Sequence, residues 1–109
     1  MNKTSVLGTI EILIDRCHLA VLLIEFRQQD REVIQDFLGE LTRMICYLME
    51  YLDTCGCRDP IPALIADIRS NRKKIALASQ DDYPEMLFRL LDNIRPALRE
   101  IKSLVEETG

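Results

Sequence analysis

The chain is poor in glycine and proline, with four of each among 109 residues. An all-β domain turns often between short strands and needs many more of both, so that class is excluded. Tryptophan is absent and histidine occurs once, at His18. A dinuclear centre of the helical-bundle kind takes an imidazole from each of two helices, so one chain alone lacks the ligands for it. Long apolar runs are missing as well: the longest stretch without a formal charge, Cys17 to Ile24, is eight residues. A spanning helix takes about 20 predominantly apolar residues, so no membrane segment is expected. The first apolar stretch carries Glu11, Asp15 and Arg16, unlike the uncharged core of a secretory signal. An excess of basic charge is also lacking, since 14 Lys and Arg face 18 Asp and Glu for a net charge of −4. That balance argues against a nucleic-acid module.

What is present is a chain with 48% apolar and 29% charged residues. This composition and length suit one globular domain over residues 1–109. The expected location is cytoplasmic. Four cysteines without an export signal read as free thiols rather than a disulfide framework.

Apolar residues recur at helical spacing in four segments. The first, from about Val6 to Gln28, carries the stripe Val6, Ile10, Leu13, Cys17, Ala20 and Ile24. Thr4 or Ser5 is the expected N-cap. Between Val6 and Phe26, 14 of 21 residues are apolar, more than one buried face requires. The surplus includes Ile12, Leu19, Leu23 and Phe26, on a different face. The second segment, about Arg31 to Thr54, has the stripe Ile34, Leu38, Leu41, Ile45, Leu48 and Leu52 opposite Asp36, Glu40, Arg43, Tyr47 and Glu50. Gly39 inside it costs helix stability, which points to a close helix approach. Asp30 is placed to cap this helix, yet residues 27–32 hold no Gly or Pro, and one continuous helix through them fits the pattern too.

Residues 55–60, Cys-Gly-Cys-Arg-Asp-Pro, read as a loop. Gly56 can take the left-handed conformation, with Asp59 as N-cap and Pro60 as the first helical residue. The third segment runs to about Ser79, with Ile61, Leu64, Ile65, Ile68, Ile75 and Leu77 apolar. Its stripe fails at Asn71-Arg72, which predicts a bend or break near Ser70. Being shorter and more polar, it is expected outermost. The fourth segment starts at Asp81-Asp82-Tyr83-Pro84 and follows Tyr83, Leu87, Leu90, Ile94, Ala97, Ile101 and Leu104, backed by Leu91, Leu98 and Val105. Pro96 lies inside without breaking the phase and predicts a kink rather than a stop. The fold class is therefore all-α, an antiparallel four-helix bundle, the alternative being a dimeric bundle built on a long N-terminal helix.

Four constellations bear on chemistry. Glu11, Asp15 and His18 share one stripe, and Asp15 with His18 has the i, i+3 spacing of carboxylate–imidazole ligands in helical bundles. With one His, the site would need carboxylates from another helix or chain. Otherwise these residues form the narrow wet strip of an apolar helix. Asp36, Glu40, Glu50 and Asp53 resemble half of a magnesium site of the helical nucleotide pyrophosphatase kind. They alternate with Arg43, Tyr47 and Thr54, as a solvated face does. Cys55 and Cys57 could clip a metal or cycle between thiol and disulfide. Arg69, Arg72, Lys73 and Lys74 form the one basic cluster, without aromatic neighbours and in a half of the chain with no net charge.

No catalytic signature emerges, so the sequence is read as a non-enzymatic protein that needs no cofactor. Its expected role is protein–protein interaction through Ile12, Leu19, Leu23 and Phe26, with a protein partner or as a homodimer, and not with nucleic acid or membrane. Regulators, immunity proteins, antitoxins and secretion chaperones include helical proteins of this size and charge, an analogy rather than a motif match. The competing expectation is a metal-dependent helical-bundle enzyme using Asp15 and His18.

Overall fold

The computed structural model describes residues 2–26, 30–77 and 85–107. Helix α1 spans Lys3–Phe26, α2 Arg31–Thr54, α3 Ile61–Leu77 and α4 Glu85–Glu107, and no strand occurs among the described residues. Each helix packs against its neighbours in sequence, and α4 closes the ring against α1. The result is the expected four-helix bundle, 44 × 21 × 18 Å across its Cα atoms. Its antiparallel course shows at α1 and α4, where Lys3 Nζ at the start of one helix donates to the Glu106 carbonyl at the end of the other, 3.2 Å away.

The periodic stripes became the core. Val6, Ile10, Leu13, Cys17, Ala20 and Ile24 are all buried on α1, and all six stripe residues of α2 are buried together with Thr42 and Met49. Leu87, Leu90, Leu91, Ile94, Ala97, Leu98 and Ile101 complete the core from α4. Each Leu or Ile fully buried this way contributes about 1.5–3 kcal/mol of transfer free energy. That is why four short helices with modest propensity hold together.

Several local details differ from the sequence reading. α1 begins earlier than Thr4: Asn2 is the N-cap, its Oδ1 accepting the Ser5 N–H at 2.8 Å and its carbonyl accepting the Val6 N–H at 2.9 Å. Asn and Ser are equivalent caps, so composition alone did not choose between them. The continuous first helix is corrected, and with it the dimeric bundle built on one. α1 ends at Phe26, and Asp30 stands outside α2 with φ −89° and ψ 62°. Residues 27–29 lie outside the described residues, as do the fourth segment's Asp81-Asp82-Tyr83-Pro84 start and Tyr83 itself. Asp30 occupies the N-cap position of α2, but its side chain makes no capping bond.

Gly39 does not serve a close approach. A Cβ there would meet nothing within 4 Å, and the residue faces outward. At the end of α2, Gly56 adopts φ +63° and its N–H reaches the Asp53 carbonyl at 3.4 Å, a left-handed helix ending as expected. Pro60, not Asp59, is the residue before α3. Its carbonyl accepts the Leu64 N–H at 3.1 Å, after a turn in which the Ile61 N–H bonds Arg58 O at 2.9 Å.

α3 is unbroken through Ser70, correcting the predicted break. Arg72 follows Ile61, Ile65 and Ile68 at the stripe's own spacing, and its stem covers the gap: Nε is buried without a hydrogen-bond partner while the residue as a whole stays half-exposed. Asn71 faces α4, where its Oδ1 accepts from Asn93 Nδ2 at 3.3 Å. Neither residue interrupts the helix because both satisfy the packing from its flank. α3 is also not outermost, since in a ring of four every helix has two neighbours and one outward face. Leu77, read as part of the apolar set, is exposed. α4 continues through Pro96 without a stop.

Candidate functional site

α1 has one buried stripe and two flanks against neighbours, and its apolar content exceeds that area. Ile12, Leu19 and Phe26 follow one another at seven-residue steps and are 49%, 48% and 68% exposed. Leu23 differs from them: it is half-buried and packs against the core at the edge of the row. The flank towards α2 is marked by Arg16, whose Nη1 lies 4.0 Å from Glu40 Oε1. Glu40 in turn is one step of seven from Val33 and from Tyr47, which are 53% and 75% exposed. Two parallel rows therefore flank the α1–α2 seam, Ile12–Leu19–Phe26 and Val33–Glu40–Tyr47, with the Arg16–Glu40 pair bridging them. Helices that run antiparallel bring Phe26 to the Val33 end and Ile12 to the Tyr47 end. Phe37 and Met44 fill in beneath, both partly buried against the core.

Val33 and Phe37 were not singled out from sequence, and Tyr47 was read only as part of the solvated face of the second segment. The signal was there in the seven-residue spacing of Val33, Glu40 and Tyr47, but a charged residue in mid-row hid it. Only the pairing of Arg16 with Glu40 shows that this row adjoins the one on α1.

The other constellations come apart. Asp15 and His18 are exposed on α1, and Glu11 is held by Lys102 Nζ at 2.8 Å. The hydrogen bond that Lys102 donates to Glu11 raises the Lys102 pKa, desolvation opposes it, and the nearby Glu106 carboxylate adds a smaller rise. Among the described residues no group of three or more His, Cys, Asp and Glu side chains is arranged to hold a metal ion. A site on Asp15 and His18 would therefore need ligands from outside the described residues. On α2, Glu40 pairs with Arg16 and Asp53 with Arg69 at 2.6 Å, while Asp36 and Glu50 are exposed. The acids are spread along a wet face rather than gathered at a point. The basic cluster is divided too: Arg69 is engaged by Asp53 and Arg72 lies along the core, leaving Lys73 and Lys74 exposed.

Of the four thiols, all free, Cys17 is buried and its pKa is pushed up to about 12 by desolvation, with Arg95 opposing. Cys46 is half-exposed, its Sγ 3.9 Å from Glu50 Oε1. Met49 is buried, and Met44 and Met86 pack partly buried against the core. No helix among the described residues is long and apolar enough to cross a membrane. Comparison with protein-family models, with curated proteins and with solved structures yields no match.

Proposed function

We propose that this bundle acts by binding another protein through the outward face of α1 and α2. The observation that carries the reading is the exposed row Ile12, Leu19 and Phe26, continued across the seam by Val33 and Tyr47. Scattered exposed apolar residues are ordinary, but a contiguous row bordered by charged residues marks an interaction surface. Such a face suits an amphipathic helix, whether of a second copy or of a different protein. The charge of −4, carried by the first half of the chain, favours a basic partner in the second case. The role is that of a small acidic regulator, antitoxin-like or chaperone-like binding module without catalysis, and four free thiols fit a cytoplasmic setting.

The test uses light scattering and site-directed crosslinking on the full chain in reducing buffer. A concentration-dependent dimer that Leu19→Glu abolishes, with helicity unchanged, makes the partner a second copy. If the chain stays monomeric, a photo-crosslinking residue at position 19 should trap one discrete partner in cells. The same residue placed at Glu100, exposed on α4, should trap none. A monomer that crosslinks no better from position 19 than from position 100 refutes the proposal.

A further inference from the structure

The loop that ends α2 brings two thiols together in unlike surroundings. Cys55 is in the right-handed region at φ −79° and ψ −10°, and Gly56 bends the chain back at φ +63°. Residues on either side of such a bend have Cα atoms about 5.5 Å apart, inside the roughly 4.4–6.8 Å that a disulfide spans. Cys55 is exposed, with the Tyr51 hydroxyl in hydrogen-bond contact. Cys57 is half-buried, its thiol donating to the Leu52 carbonyl at 3.5 Å. It also lines a cavity of about 430 Å³ whose walls include Ile61, Leu104 and Val105, with Arg58, Asp59 and Glu107 as the charged groups. Cys17 and Cys46 lie elsewhere, inside α1 and α2.

An accessible thiol beside a sheltered one is the arrangement of an attacking and a resolving cysteine. We propose that Cys55 and Cys57 form a thiol–disulfide exchange site whose substrate is a small, zwitterionic disulfide of the glutathione class. The Cys55 thiolate attacks one sulfur of RSSR. A Cys55–SR bond forms, the external S–S bond breaks, and RS⁻ leaves to take up the proton that Cys55 released. Cys57 then attacks the Cys55 sulfur, closing the internal disulfide and expelling the second RS⁻, which takes up the Cys57 proton. Two protein thiols are oxidised and one external disulfide is reduced to two thiols. The cavity beside Cys57 has room for part of the incoming molecule, where Arg58 can meet a carboxylate of it and Asp59 or Glu107 its ammonium group.

Burial, then the neighbouring Cys55 and Asp53, raise the Cys57 pKa. A thiol so raised leaves slowly, which protects the closed disulfide against attack at Cys55. This site shares no residue with the α1–α2 face and stands apart from the role proposed for it.

The experiment treats the reduced full chain with oxidised glutathione in a Cys46→Ser background and follows intact mass and peptide fragments. The parent should lose two hydrogens, with the bond mapped to Cys55 and Cys57. Adding Cys57→Ser should trap a glutathione adduct on Cys55, and adding Cys55→Ser should slow modification of Cys57 by about tenfold or more. Both positions are in the loop, and Ser keeps the shape of each. The proposal is overturned if the parent keeps its thiols free, or if Cys57→Ser carries no adduct on Cys55.

Discussion

Raising the pH should destabilise this bundle through one thiol in its core. Cys17 is fully buried against the other helices, and its pKa rises from 9.0 to about 12 because burial strips water from the thiolate. The unfolded chain gives up this proton near the ordinary value, and the folded chain holds it. The stabilisation is therefore fully present below the unfolded pKa of 9.0 and is lost as the pH climbs towards about 12. At 1.36 kcal/mol per unit, the loss from this group amounts to about 1.5 kcal/mol at about pH 10 and about 2.5–3 kcal/mol at about pH 11. Cys17→Ala removes the titration and leaves a small void in its place, costing about 1–2 kcal/mol at neutral pH. The variant should thus be the weaker protein at neutral pH and the stronger one above about pH 10–10.5, the two curves crossing between. Urea unfolding followed by far-UV circular dichroism, in reductant and at a series of pH values, measures both. Curves that fall in parallel would mean that the folded thiol ionises as freely as the unfolded one, which would refute the placement of Cys17.

Two further perturbations test the helices. Gly39→Ala meets nothing within 4 Å and should stabilise α2 by about 0.5–1 kcal/mol, raising Tm by a few degrees. A loss of stability instead would mean that this face is covered in the native protein. Asn2→Ala removes the acceptor of the Ser5 N–H and should lower stability by about 1 kcal/mol in the same denaturation assay. Thr4→Ala should do far less, and the reverse ranking would move the start of α1 back to where the sequence pattern put it.

The four helices were legible because each buries a stripe whose four-and-three spacing is written directly in the residue order. The wet strip of α1 was legible in the same way, since Glu11, Asp15 and His18 are the charged and polar residues left over. The cap of α1 was less so: Asn2, Thr4 and Ser5 are chemically equivalent acceptors, and selection among them depends on where packing lets the helix begin. Arg72 misled for a different reason. Its charge breaks a hydrophobic count, yet it occupies a stripe position, with Nε buried and the residue as a whole half-exposed. Gly39 misled because a glycine in a helix admits a neighbour without requiring one.

What the residues determined by themselves was the all-α class, the buried face of each helix and the loop at Cys55-Gly56-Cys57. These follow from spacing, turn chemistry and burial of apolar area, all local properties of the chain. The fate of the second apolar face of α1 was not local. Ile12, Leu19 and Phe26 would be core in a fold that surrounded α1, and they are surface here because the ring sets α2 and α4 beside α1 and leaves this face outward. The juxtaposition of that row with Val33 and Tyr47 likewise depends on the antiparallel register that Arg16 and Glu40 report. Tertiary packing alone decided it, since two rows on different helices meet only when their helices do.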